Sequence, residues 1–238
     1  MAAMKSEYLY QNRGKRTMAD KAFANFHKSL SYQGLWRFIN PVLKSGLTKR
    51  LMGIHPDRSL PGLVNPAYMK AYEKGYSVES AAGHERAVIL WVDEFTQAND
   101  PMLVGKACDV LGALGYSPAV VCSPSGRAAL SGGFLPESKK LAQNALKKLQ
   151  NAAKTLQNAP ILGLEASAVL SAVDEYGRLL PEEKTWIEGQ SIATIDKFLA
   201  DELPKLEQAK DAFEAYEEEI LLHVHCHQKS LELSLIHI

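Results

Sequence analysis

The chain is poor in cysteine. Cys108, Cys122 and Cys226 are its only thiols; they are too few and too scattered for a disulfide framework, which points to a reducing cytoplasm. Long apolar runs are also missing, so no segment reads as a membrane span, and the N-terminus has no signal-peptide core. There is no charge excess of either sign: 27 Lys and Arg balance 27 Asp and Glu. Nothing in that balance points to nucleic acid or an anionic membrane as partner. No Gly-x-Gly-x-x-Gly follows a strand, which argues against a dinucleotide site. No Gly-x-Ser-x-Gly elbow is present either, which argues against an exposed serine nucleophile. What remains is apolar content of 46%, ample for one substantial domain and a helical appendage.

The most informative stretch runs from Val88 to Phe134. Val88–Val92 is a short, β-branched apolar run, as expected of a strand buried on both faces. Asp100 and Pro101 then provide a cap and a first-turn proline. Leu103, Ala107, Val110, Leu111 and Leu114 follow at helical spacing, and Gly115 ends the helix. Ala119–Cys122 reads as a second strand, followed by a Gly/Ser/Pro-rich loop, Ser123–Gly133. A parallel pair joined by one helix crosses over right-handed, so both loops leave the same sheet edge, where open α/β sheets bind ligands. The expected fold is therefore α/β, a mainly parallel sheet flanked by helices, with an N-terminal helical segment.

Met1–Arg16 has helical composition. Ala22–Met52 carries aromatic and aliphatic residues at mixed helical intervals, broken at Pro41, which suggests short helices packed on a neighbouring domain. Gly53–Pro61 is an extended linker, and Asn65–Glu85 a polar connection into the sheet. Beyond the central unit, Pro136–Gln157 is a long helix with a lysine-rich outer face, and Pro160–Leu164 a third strand. Glu165–Gly177 and Glu183–Ala200 read as helices, Pro204–Glu219 as a charged helix, and Ile220–Val224 as the fourth strand. The last seven residues, 232–238, read as a non-native tail.

Four loops should then converge on one edge: Asp93–Asp100, Cys122–Gly133, Glu165–Ser167 and His225–Lys229. Gly126 and Arg127 open a helix whose free N–H groups could hold an anion. The preferred alternative is that Gly126 meets a turn dihedral while Arg127 pairs with Glu165. His223, His225, Cys226 and His227 form the densest ligand-capable cluster, but no second C-x-x-C or H-x-x-x-H pair completes a zinc signature. Cys226 and Cys122 are the thiol candidates for a metal. A Ser–His–Asp reading would draw on Ser123, Ser125 or Ser131 with Asp93 and His225 or His227, at the same edge.

Four motifs occur in order: D-E-F-T-x-x-x-D-P at Asp93–Pro101, G-R-x-x-x-S-x-G-F-L at Gly126–Leu135, G-L-E-x-S at Gly163–Ser167 and H-C-H-Q-K at His225–Lys229. Together they resemble the cysteine-rich "CCG" domain of iron–sulfur oxidoreductases, in particular FAD-linked oxidase/ferredoxin fusions. These fusions are related to D-lactate dehydrogenase, glycolate oxidase and the iron–sulfur subunit of anaerobic glycerol-3-phosphate dehydrogenase. Met1–Leu9 is similar to the segment after the last cluster-binding cysteines of the family's ferredoxin module. The resemblance implies a fragment, truncated at both ends, with FAD and [4Fe–4S] clusters upstream.

On that resemblance, residues 1–85 follow a missing ferredoxin module, and 86–231 form a CCG-like unit with the start of a second repeat. The parent would oxidise a 2-hydroxy acid and pass electrons on, in the cytoplasm or peripherally at a membrane. Its ferredoxin and flavin domains would be the partners of this piece, which would have no transmembrane segment and no catalytic activity alone. The sequence departs from the family where cysteines belong. Pro124-Ser125-Gly126-Arg127 stands for Cys-Cys-Gly-Arg, and Glu165-Ala166-Ser167-Ala168 for Glu-Pro-Ser-Cys; only Cys226 matches. Clusters need thiolates, so this part is expected to bind none. It would remain a scaffold or docking domain with the framework Asp93, Gly126, Arg127, Glu165, Ser167, His225 and His227. The alternative is a non-redox interaction module; a hydrolase ranks below both.

Overall fold

Every residue of Ala87–Val92 (β1) is apolar, and every one is buried. A strand of this kind needs cover on both faces, and helices provide it. The computed structural model describes residues 2–206 and 224–231, with positions 213, 219 and 221. In it β1 pairs in parallel with Ser117–Cys122 (β2) and with Ile161–Gly163 (β3), and β3 pairs in parallel with Ile192–Thr194 (β4). The order is β2-β1-β3-β4. The fold is α/β, with an all-parallel sheet flanked by helices.

Alternate side chains of β1 enter two separate cores. Ile89 and Trp91 join Ala119, Ile161 and the inner stripe Leu146 and Leu149 of the Leu135–Thr155 helix. Val88, Leu90 and Val92 join Val120, Leu162 and the stripe Val104, Ala107, Cys108 and Leu111 of the Met102–Ala113 helix. Complete burial of each large aliphatic side chain favours folding by roughly 1.5–3 kcal/mol. Sheet order explains the two layers: β1→β2 and β2→β3 run in opposite lateral directions, so right-handed crossovers put their helices on opposite faces. Within the first of these helices Leu103 stays outside and Val104 takes the inner position.

The structure corrects several expectations. The fourth strand is Ile192–Thr194, within the span read as the Glu183–Ala200 helix. It is too short to show a two-residue period, and parallel pairing with β3 stabilises it where local pattern could not. Positions 220, 222 and 223 of the expected Ile220–Val224 strand lie outside the described residues, as do most of Pro204–Glu219 and all of 232–238. Leu221 and Val224 are not in a strand, and Cys226–Leu231 is a helix rather than a loop. The Asn65–Glu85 connection holds helices at Ala67–Gly75 and Val78–Ala81, because Met69 finds a core to enter.

Helix Trp36–Lys44 continues through Pro41. Pro41 and Arg37 are both exposed, so water can take the carbonyl hydrogen bond that proline forgoes. The N-terminal helices pack on this chain's own α/β unit. Phe26 stacks on Phe95 with centroids 4.7 Å apart. Buried Gln33 donates to the carbonyls of Val64 and Gln97, at 2.8 and 2.9 Å. Arg16 lies over the Phe134 ring at 3.8 Å and donates to the Gly133 carbonyl.

Candidate functional site

Because β1 leads to β2 on one side and its neighbour β3 leads to β4 on the other, the crevice outside the carboxyl ends of β1 and β3 is the topological switch point. The loops there begin at Asp93 and Glu165. Each caps the helix that follows it: Glu94–Asn99 for Asp93 and Ala166–Asp174 for Glu165. Gly163 allows the second helix to approach, since a Cβ at that position would sit 2.2 Å from Val169 Cγ2.

Asp93 is buried. Its Oδ2 accepts from Phe95 N–H at 2.8 Å, and its Oδ1 from Thr96 N–H at 3.3 Å and Thr96 Oγ1–H at 2.5 Å. Burial, reinforced by the neighbouring Glu94 and, less strongly, Glu165, outweighs these donors and pushes its pKa up to about 7. Glu94 turns into the protein at 1% exposure. Its Oε2 accepts from Ser125 N–H at 2.6 Å and Ser125 Oγ–H at 2.9 Å.

Ser125 is the hub of this edge. Besides its two bonds to Glu94, its Oγ accepts from Arg127 N–H at 3.1 Å, and its carbonyl accepts from Tyr176 O–H at 2.5 Å. Burial, with Glu94, Glu175 and Asp93 close by, raises the Tyr176 phenol well above its ordinary range. Next to it, Gly126 has φ +73°, and a Cβ there would meet Leu141 Cβ at 2.9 Å. The glycine is therefore needed for both dihedral and space. The first N–H of the short Arg127–Ser131 helix is bonded to Ser125 Oγ and is not open to an anion.

Arg127 pairs with Glu175, not with Glu165. Its Nη1 lies 2.6 Å from Glu175 Oε2, with the two side chains 18% and 4% exposed. Glu165 Oε2 is committed to its own helix end, accepting from Ala168 N–H and Ser167 Oγ–H, both at 2.6 Å. Glu175 is free to face Arg127 because the chain bends there, between Ala166–Asp174 and Tyr176–Leu179. Its Oε1 is buried without a partner.

The His225–Lys229 segment reaches the same side of the molecule, packed against the Ala166–Asp174 helix. Its anchor is Gln228, which donates to Asp196 Oδ2 at 2.6 Å and to Thr194 Oγ1 at 3.2 Å, at the carboxyl end of β4. His227 Nε2 faces Asp174 Oδ2 at 3.8 Å, and His225 Nδ1 accepts from His227 N–H at 3.3 Å. Cys226 points outward. Comparison with protein-family models, curated proteins and solved structures finds no match to this chain.

The two thiol candidates are not brought together. Cys122 ends β2 and Cys226 adjoins β4, the two outer strands of the sheet. Three strand spacings separate those strands by about 14 Å. Burial pushes the Cys122 thiol far up, with Glu73 adding to it, so it is a thiol rather than a thiolate. Among the described residues no three His, Cys, Asp or Glu side chains are grouped to hold a metal ion. The donors at this edge do not fit an iron–sulfur cluster either: Ser125 Oγ is spent on Glu94, and Ser167 Oγ on Glu165. The serine-nucleophile reading meets a similar obstacle, since Ser125 is fully buried.

Sequence reading placed Glu94 at this edge only as part of the Asp93–Asp100 loop, without its bond to Ser125, and missed Glu175 and Tyr176. Glu94 was legible as half of the Asp93-Glu94 pair. Glu175 and Tyr176 carried no local signal, because they lie 48 and 51 residues from their partners.

Proposed function

We propose that this chain is a piece of a larger FAD-linked, iron–sulfur oxidoreductase that oxidises a 2-hydroxy acid and passes electrons onward. In that protein it serves as a degenerate cysteine-rich scaffold that docks the ferredoxin module, while flavin and substrate chemistry lie upstream. The observation that supports this reading is the meeting of motifs distant in sequence at one sheet edge. Asp93-Glu94, Ser125-Gly126-Arg127, Glu165-Ala166-Ser167 and Gln228 all lie at carboxyl ends of neighbouring strands. Hydrogen bonds link Glu94 to Ser125 and Arg127 to Glu175 across the loops, where a cluster-binding relative would place thiolates. Such an edge is suited to holding shape, not to exchanging electrons or attacking a substrate.

Sequencing the genomic DNA upstream of the Met1 codon tests the proposal. An in-frame segment encoding a C-x-x-C-x-x-C-x-x-x-C-P run is expected, and the protein expressed from the whole frame should hold flavin and iron and reduce a dye with a 2-hydroxy acid. A stop codon and ribosome-binding site directly before Met1 would overturn it.

A further inference from the structure

The Leu135–Thr155 helix buries Ala142, Leu146, Leu149 and Ala153 against the sheet and turns a different set of side chains outward. Lys140, Asn144, Lys147, Asn151 and Lys154 follow one another at alternating steps of four and three, which keeps them on one stripe. All five are exposed. Successive lysines of the stripe stand about 10 Å apart along the helix. None of the three forms an ion pair among the described residues. Solvated helix faces commonly set glutamate against lysine three or four residues away. Here no acidic residue occurs between Glu137, in the first turn, and Glu165, so nothing on the helix offsets the stripe.

The complement lies further along the same chain. Residues 1–164 carry 21 Lys and Arg against 11 Asp and Glu, whereas residues 165–238 carry 6 against 16. Glu182, Glu188, Asp201 and Glu202 each face a lysine of their own chain. The surplus falls in the span 207–219, where Glu207, Asp211, Glu214, Glu217, Glu218 and Glu219 stand against Lys210 alone. The two described positions of that span, Phe213 and Glu219, are both exposed.

We propose that the lysine stripe docks the acidic span 207–219 of a second copy of this chain. Charge complementarity selects that occupant. Within one chain the sheet stands between the two: the span follows Ile195–Glu202, whose Ile195 and Phe198 pack in the core on the face opposite the Leu135–Thr155 helix. In a two-fold pair each copy offers its stripe to the other's acidic span, so both contacts form together and the assembly closes. Stripe against stripe would set lysine against lysine. A nucleic acid would meet the stripe on a molecule with no net positive charge and strongly acidic from residue 165 on, which opposes its approach. The inference goes beyond the proposed function and holds whichever activity the parent carries.

Sedimentation equilibrium of the full chain at low and high salt tests it. A dimer at low salt that dissociates as salt screens the contact is expected. K140E/K147E/K154E should weaken dimerisation on the order of a hundredfold. E214K/E217K/E218K/E219K should do the same, with circular dichroism confirming that both variants are folded. Mixing the two variants should restore a dimer, because a glutamate stripe then faces a lysine-rich span and a lysine stripe faces an acidic one. A monomer at low salt, a dimer that neither set of substitutions weakens, or two variants that stay apart when mixed would each overturn the proposal. So would a monomer that captures single-stranded DNA through the stripe.

Discussion

Replacing Asp93 by asparagine isolates one buried proton. In the unfolded chain an aspartate titrates near 3.9; in the folded protein burial beside Glu94 and Glu165 raises it to about 7. Below pH ~4 both states hold the proton, and the native contribution is fully present. As pH rises towards 7 the unfolded state has released its proton and the native state has not. Unfolding therefore becomes relatively easier, and the contribution is lost once pH passes the folded value. A displacement of about three units corresponds to a swing of about 4 kcal/mol.

Asparagine cannot titrate, so it removes this dependence. It also presents an NH₂ to one of the N–H groups that Asp93 now caps, an offset of about 1–2 kcal/mol that is the same at every pH. Urea unfolding of both proteins at steps from pH 4 to pH 8 separates the two effects. The D93N variant should be the less stable at pH 4 and gain on the parent steadily up to pH 8. A stability difference that stays constant across the range would refute the reasoning, because it would mean that Asp93 is ionised in the fold throughout.

Three further outcomes are expected. Arg127→Met should destabilise by about 3–5 kcal/mol, since Glu175 would be left as a buried charge, and adding Glu175→Gln should recover much of the loss in a double-mutant unfolding cycle. Gly126→Ala should cost about 2–4 kcal/mol in thermal or urea unfolding, because it combines a left-handed φ with a Cβ pressed on Leu141; a neutral result would mean the turn can relax. In thiol labelling the native chain should react promptly at exposed Cys226 alone. Cys108, whose thiol burial pushes up to about 12, and Cys122 should react only after denaturation.

Local pattern determined a great deal about this protein. The all-apolar β1, the long Leu135–Thr155 helix and the β1–helix–β2 crossover all follow from the periods of hydrophobic side chains and from capping residues at their ends. Strand order followed in part as well, because a right-handed crossover leaves few choices, and with it the edge at which Asp93, Arg127 and Glu165 meet. Total composition hides local detail: acid and base balance over the whole chain, yet the span between Asp20 and Asp57 holds basic residues and no acidic one.

What the tertiary structure decided was pairing. Arg127 had two acidic partners within plausible reach, and local spacing could not rank them. The choice was made by Glu165 capping its own helix and by the bend that turns Glu175 inward. The fourth strand was settled in the same way, by hydrogen bonds to β3 that Ile192–Thr194 could take up and that no local period announces. Elements arise from interactions over a few residues and can be read along the chain. Which side chain completes a buried charge, and which short segment completes a sheet, depends on groups 30–50 residues apart, and only the folded arrangement brings those together.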